Sequence, residues 1–63
     1  MNIEIGKTYV TRNGELRVTI KAETANRGTY QMRGEDNLGR ITWRSSKGRF
    51  ERYAHRHDLV REA

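Results

Sequence analysis

The stretch RITWRSSKGRFERYAHRHDLVRE, residues 40–62, concentrates the side chains of this chain that can do chemistry. It holds seven basic residues among the only Trp, the only Phe, one Tyr and both His. Three chemistries are open to such a set. Arg and Lys neutralise phosphates, and Arg adds a planar fork that pairs bidentately with phosphate or carboxylate and stacks on bases. His55 and His57 fall on one face of an extended segment, where two imidazoles could converge on a metal ion. Aromatic rings set between cations could stack single-stranded bases.

The second of these is poorly supplied. A zinc-type site needs a third and a fourth ligand, each oriented by its own hydrogen-bond partner. The chain has two His and no Cys. No metal or other cofactor is expected. Catalysis is no better served. Ser45 and Ser46 lie in a turn with nothing to bring them under His55 or His57 as base. The carboxylates neighbour Arg or sit in turns, and such pairing lowers their pKa, the wrong direction for a general acid. The segment Gly34–Gly39 is too acidic to cradle a phosphate. The expectation is a non-enzymatic binding module.

Charge points to the partner. Thirteen basic residues, ten of them Arg, oppose eight acidic ones for a net +5. Residues 1–39 carry six basic and five acidic groups, whereas residues 40–63 carry seven and three. A negatively charged partner is favoured, nucleic acid first and an acidic protein surface second. The expected contact set is Arg40, Arg44, Lys47, Arg49, Arg52 and Arg56, together with Tyr53, which breaks the alternation of its strand and is a better candidate for an exposed ring than Trp43, although packing against the C-terminal tail is the stronger reading of Tyr53 itself. Trp43 reads as core.

The elements that must position these residues read as β throughout. In KTYVTRNGELRVTIKA two strand-like runs flank Asn13-Gly14, the strongest short hairpin signal, because a type I′ turn needs positive φ at both central residues. Centred there, Arg12 faces Glu15, Thr11 faces Leu16, Tyr9 faces Val18 and Lys7 faces Ile20. Leu16, Val18 and Ile20 share an inner face with Tyr9, while Arg17, Thr19 and Lys21 share the wet one. Ala25–Gly28 reads as a loop, Thr29–Arg33 as a strand with Tyr30 and Met32 inward, and Gly34–Gly39 as a turn. Arg40–Arg44 alternates with Ile41 and Trp43 inward, and Ser45–Gly48 is the next turn. Phe50–Tyr53 reads as a last short strand. The tail His57–Glu62 reads as a helical turn with Asp58 as N-cap and Leu59 and Val60 docking on the body.

About five short strands with no long helix indicate an all-β fold, a small five-stranded barrel closing its own edges, in one domain over residues 1–63. The expected core is Ile3, Ile5, Tyr9, Leu16, Val18, Ile20, Tyr30, Met32, Ile41, Trp43, Phe50, Leu59 and Val60. That is thin for a chain without disulfides, so a homodimer is one way to complete it. No apolar run approaches a membrane span, MNIEIGKTYV lacks the apolar segment of a signal peptide, and the absence of Cys suits a reducing compartment. A soluble cytoplasmic protein with no membrane partner is expected.

Four pieces form an ordered set: Gly6-Lys7-Thr8-Tyr9-Val10-Thr11-Arg12-Asn13-Gly14, Ile41-Thr42-Trp43, Lys47-Gly48-Arg49-Phe50 and His57-Asp58-Leu59-Val60. The set resembles the small SH3-like β-barrel proteins that bacteriophages and prophages encode, and it spans nearly the whole chain. The resemblance implies that barrel and a phage accessory protein acting in a bacterial host cell. Its motifs are turns and core anchors, and the Arg-rich last third departs from the more acidic pattern of many such proteins, so no binding residue transfers. Two functional readings follow. The first is a module that grips nucleic acid, DNA or RNA, mostly through backbone charge and with little sequence preference. The second is an inhibitor or modulator that docks the same Arg-rich surface on a host protein of the nucleic-acid machinery or of anti-phage defence.

Overall fold

In a computed structural model that describes all 63 residues, the chain forms one antiparallel sheet of five strands and no helix. The strands are β1 (Thr8–Thr11), β2 (Arg17–Glu23), β3 (Met32–Asp36), β4 (Ile41–Arg44) and β5 (Leu59–Glu62). Their order across the sheet is β4-β3-β2-β1-β5. The all-β class is as the sequence indicated, and no helix is long and apolar enough to cross a membrane.

The first hairpin keeps the expected register with a different turn. Tyr9 pairs with Val18, Lys7 O accepts from Ile20 N, and Thr11 N donates to Leu16 O. Only Gly14 takes positive φ (75°), so this is not a type I′ turn. A four-residue loop closes through Gly14 N to Thr11 O, and Asn13 Oδ1 accepts from Thr11 Oγ1 and Glu15 N. Two-residue and four-residue loops about one centre place the same residues opposite each other, which is why the register survives. Arg12 does not pair with Glu15. It is drawn instead to Asp58.

The second half departs further. β3 starts at Met32 and runs through Gly34, Glu35 and Asp36, residues that read as a turn. Gly34 is there because the strands pack closely: a Cβ on it would lie 2.5 Å from Val18 Cγ1. Asp36 ends the strand, its Oδ1 accepting from Leu38 N and Arg40 N and its Oδ2 from Arg40 Nε. The hairpin that follows pairs Met32 with Arg44, Arg33 with Trp43, Gly34 with Thr42 and Glu35 with Ile41. Met32 faces the core, so Arg44 does too, and Ile41 and Trp43 go to the other face. The expected orientation of this strand is reversed, because strand side chains alternate with period two.

Residues 50–53, expected as a strand, form bends, and the tail, expected as a helical turn, is β5. The reason lies in hydrogen bonds. Phe50 N and His55 N go to the Asp58 carboxylate rather than to a ladder, so Asp58 caps the segment before it. Residues beyond it pair with β1, Tyr9 opposite Glu62 and Val10 opposite Arg61. The strand ladder is open between β4 and β5. Backbone bonds from Ile3 N to Ser46 O and from Leu59 N to Gly48 O bridge that side.

The core cluster is Ile3, Tyr9, Val18, Ile20, Met32 and Leu59, with Leu16 and Val10 also buried. Ile5, Ile41 and Val60 are exposed, and Tyr30, Trp43 and Phe50 are half-buried. Val10 was not expected inside. It sits on the outer face, flanked in register by Arg17 on β2 and Arg61 on β5.

Gly34→Ala forces the added methyl into Val18 and is expected to destabilise the fold by about 1–3 kcal/mol, the usual cost of overpacking a filled core. Urea unfolding followed by circular dichroism checks this, with the midpoint falling at constant slope.

Candidate nucleic-acid interface

The seven residues expected to make one contact surface fall into three environments. Arg44 leaves the surface altogether. It is 1% exposed, and its guanidinium is built into the interior. Nε donates to His57 O at 3.0 Å, Nη1 donates to Thr42 Oγ1 at 2.7 Å, and the group lies 5.1 Å from the Phe50 ring centroid. Burial lowers its pKa to about 10 against the opposing pull of Asp36 and Asp58, so it stays charged at neutral pH. Arg44 is a structural cation that ties β4 to the loop before β5.

Arg40 and Arg49 are exposed in part but engaged. Arg40 pairs with Asp36 at 2.9 Å and finishes the β3–β4 turn. Arg49 Nη1 lies 3.2 Å from Asp58 Oδ2, and Arg12 Nη2 reaches the same oxygen at 3.3 Å. Burial works to raise the pKa of Asp58, but the Phe50 and His55 N–H groups and the two guanidinium groups outweigh it and hold the carboxyl below the ordinary Asp value.

Lys47, Arg52, Tyr53 and Arg56 remain as open surface. Tyr53 is 69% exposed rather than packed on the C-terminal tail, and the strand whose alternation singled it out does not form. Arg52 lies over its ring at 5.1 Å and donates from Nη2 to its hydroxyl at 3.0 Å. None of the three cations has a carboxylate within ion-pair distance. Ser45 is buried and has a turn to hold: its Oγ accepts from Lys47 N and Arg49 N.

His55 and His57 do come together, through an aromatic cluster. Their rings are 5.2 Å apart, and Phe50 stacks on His55 at 4.7 Å. His55 Nδ1 accepts from His57 N at 3.0 Å, which commits that nitrogen to the turn. No group of three metal-ligating side chains exists here or elsewhere. The pKa of His57 is lowered by burial and then by Arg56, His55, Arg44 and Arg40.

A second basic surface was only half legible. Arg17 and Lys21 alternate with buried Val18 and Ile20, so their outward placement could be read. Arg33, next to inward Met32, could be read in the same way, but the place of Arg27 beside Trp43 could not, because it depends on the reversed face of β4. Arg27 lies over the Trp43 ring, 4.0 Å from its centroid. On this face a shallow depression of about 170 Å³ is lined by Arg17, Thr19, Lys21, Glu35, Asp36 and Asn37. Its lining carries both signs of charge, so it is not by itself an anion site.

Of thirteen basic residues, four (Lys7, Arg12, Arg40, Arg49) are in ion pairs and Arg44 is buried, which leaves eight exposed without an ion-pair partner. Of eight acidic residues, Glu4, Asp36, Asp58 and Glu62 are paired, which leaves four. The excess of free charge is therefore positive and outward. Comparisons with protein-family models, with curated proteins and with solved structures find no match to this chain.

Asp58→Asn keeps the shape of the side chain but turns an amide N–H₂ toward donors. A loss of about 1.5–3 kcal/mol is expected, the range for hydrogen bonds to a charged group, and chemical denaturation measures it. Acid is expected to act through His57. Its folded pKa is depressed, so its contribution is complete above the unfolded value near 6.5 and is lost as pH falls through the lower folded value. Melting temperatures at pH 7.5 and 5.5 should show the drop, and His57→Gln should flatten it.

Proposed function

We propose that this protein is a small non-enzymatic binding module that contacts nucleic acid through backbone charge. The observation that carries the reading is the set of eight exposed cations that have no ion-pair partner while half of the acids are already neutralised. Unpaired Arg and Lys meet phosphates without first breaking an internal contact, and each phosphate neutralised releases condensed counterions. Lys47, Arg52 and Arg56, with Tyr53 beside them, form the contact surface on the loops between β4 and β5. Arg40 and Arg49 frame it, and Arg44 holds it from inside. Such contacts give affinity with little preference for sequence.

The resemblance to small phage-encoded SH3-like barrels supplies the setting, an accessory protein in a bacterial cytoplasm. The backbone bonds from Ile3 and Leu59 to the 46–48 turn support reading the sheet as that barrel, with loop bonds on its open side. One feature favours a second reading. The exposed Arg52–Tyr53 pair combines two of the side-chain types that dominate protein interfaces, and it would suit an acidic host protein.

The test is fluorescence anisotropy of labelled DNA and RNA at about 50 and 200 mM salt, the span over which several phosphate contacts lose orders of magnitude in affinity. Lys47→Ala, Arg52→Ala and Arg56→Ala are each expected to weaken binding to a similar degree and to reduce the salt slope by roughly 0.7–0.9. No binding at the lower salt overturns the reading. A single dominant loss at Arg52 or Tyr53 in a pull-down from host lysate, without nucleic-acid binding, replaces it with the protein-docking one.

A further inference from the structure

The outer face of the sheet has an order that the loop surface lacks. Arg17 lies opposite Val10, and Arg61 lies on the other side of Val10. One row along, Thr8, Thr19, Glu35 and Ile41 stand side by side across four strands. In the next row Ala22 faces Arg33, and Arg33 faces Trp43. Glu35 is the single carboxylate in these rows, and neither Arg17, Arg33 nor Arg61 is paired with it or with any other acid.

Trp43 is the odd member of this face. It is the only Trp of the chain and stands outward on an edge strand, only half-buried. Its indole N–H is buried without a hydrogen-bond partner, a cost that a folded protein seldom leaves unmet. Its ring is covered by Arg27 at 4.0 Å. Arg27 comes from the β2–β3 loop, where Asn26 and Gly28 both take positive φ, and its one other tie is Nε to Tyr30 O at 3.3 Å. A cation resting on a ring near the surface is a weakly held cover.

We infer that this face binds single-stranded nucleic acid, with a base taking the place of the Arg27 guanidinium on the Trp43 ring. The inference rests on the nucleic-acid reading above and adds the strand state and a second surface. A flat aromatic among unpaired Arg is a stacking platform flanked by phosphate partners, and it needs bases whose faces are free. A duplex keeps those faces stacked. Arg27, displaced from the ring, becomes a further phosphate contact. DNA and RNA offer the same stacking chemistry, and separate oligomers distinguish them.

Because Trp43 is the only Trp, its fluorescence reports on this site alone. The experiment titrates the protein with oligo(dT), oligo(U) and a DNA duplex, reading Trp emission and the anisotropy of the labelled oligomer in parallel. Expected is quenching by single strands with the same midpoint as the anisotropy, and little by duplex. Trp43→Ala should weaken single-strand binding about ten-fold, within the range for one stacked base, and Trp43→Phe should restore most of it. Quenching by only one of oligo(dT) and oligo(U) supports the inference, and oligo(dU) then separates the sugar from the C5 methyl as the source of the preference. Anisotropy that rises while emission stays constant overturns this inference and leaves the loop surface standing. Duplex bound as tightly as single strand, with equal quenching, overturns it as well. No anisotropy change with any oligomer removes both readings. The emission of the unmutated protein decides the matter even if Trp43→Ala does not fold.

Discussion

The carboxylate of Asp58, nearly without solvent contact, accepts two backbone N–H groups and two guanidinium groups. The segment from Arg49 to His57 belongs to no strand, so its N–H groups have no ladder to join. An unpaired buried backbone donor costs as much as a lost hydrogen bond, and one ionised side chain removes two such costs together. The same group draws in Arg12 from the first hairpin and Arg49 from the turn after β4. It thereby joins the first hairpin, whose Arg12 is 46 residues away, to the 49–57 segment just before β5, and the start of β5 is set beside them.

This arrangement decides which cations remain for a partner. Charge spent on Asp58 and Asp36 is not offered outward, and the buried Arg44 is spent on His57 O, Thr42 and the Phe50 ring. What is left lies in two places. One is the irregular loop surface of Lys47, Arg52 and Arg56. The other is the regular rows of the sheet face. A loop surface suits contacts that need only charge. A sheet face, with side chains at fixed spacing, suits contacts that also need shape.

Arg44 and Trp43 show how a single register exchanges roles between neighbours. The Met32–Arg44 pairing turns a cation into the core and the largest aromatic out of it. Hydrophobicity alone argues for the opposite arrangement. It is overruled because β3 must present Gly34 where Val18 and Ile20 pack closely, and must keep Asp36 at the end of the strand to close the turn. With β3 so placed, the parity of β4 follows. The cost of burying Arg44 is met by a hydroxyl, a carbonyl and a ring, whereas the Trp43 N–H is met by nothing within the chain.

Local sequence determined the all-β class, the first hairpin with its register, the Ala25–Gly28 loop, the turn at Ser45–Gly48 and most of the core, including Tyr9, Val18, Ile20 and Met32. These rest on alternation and on turn residues, which act between near neighbours. Tertiary structure alone decided the face of β4, the extended tail and the sorting of the arginines. Each depends on a strand partner or on which carboxylate an arginine meets, Asp36 four residues from Arg40, Asp58 nine from Arg49 and 46 from Arg12. Asp58 reads locally as a helix cap, and only the arrival of Phe50, His55, Arg12 and Arg49 makes it the anchor of a loop. Asp36 and Gly34 read locally as a turn, and only packing against Val18 makes them strand. A count of basic residues gave the sign of the surface, but which of them face solvent unpaired depends on partners brought together only by folding.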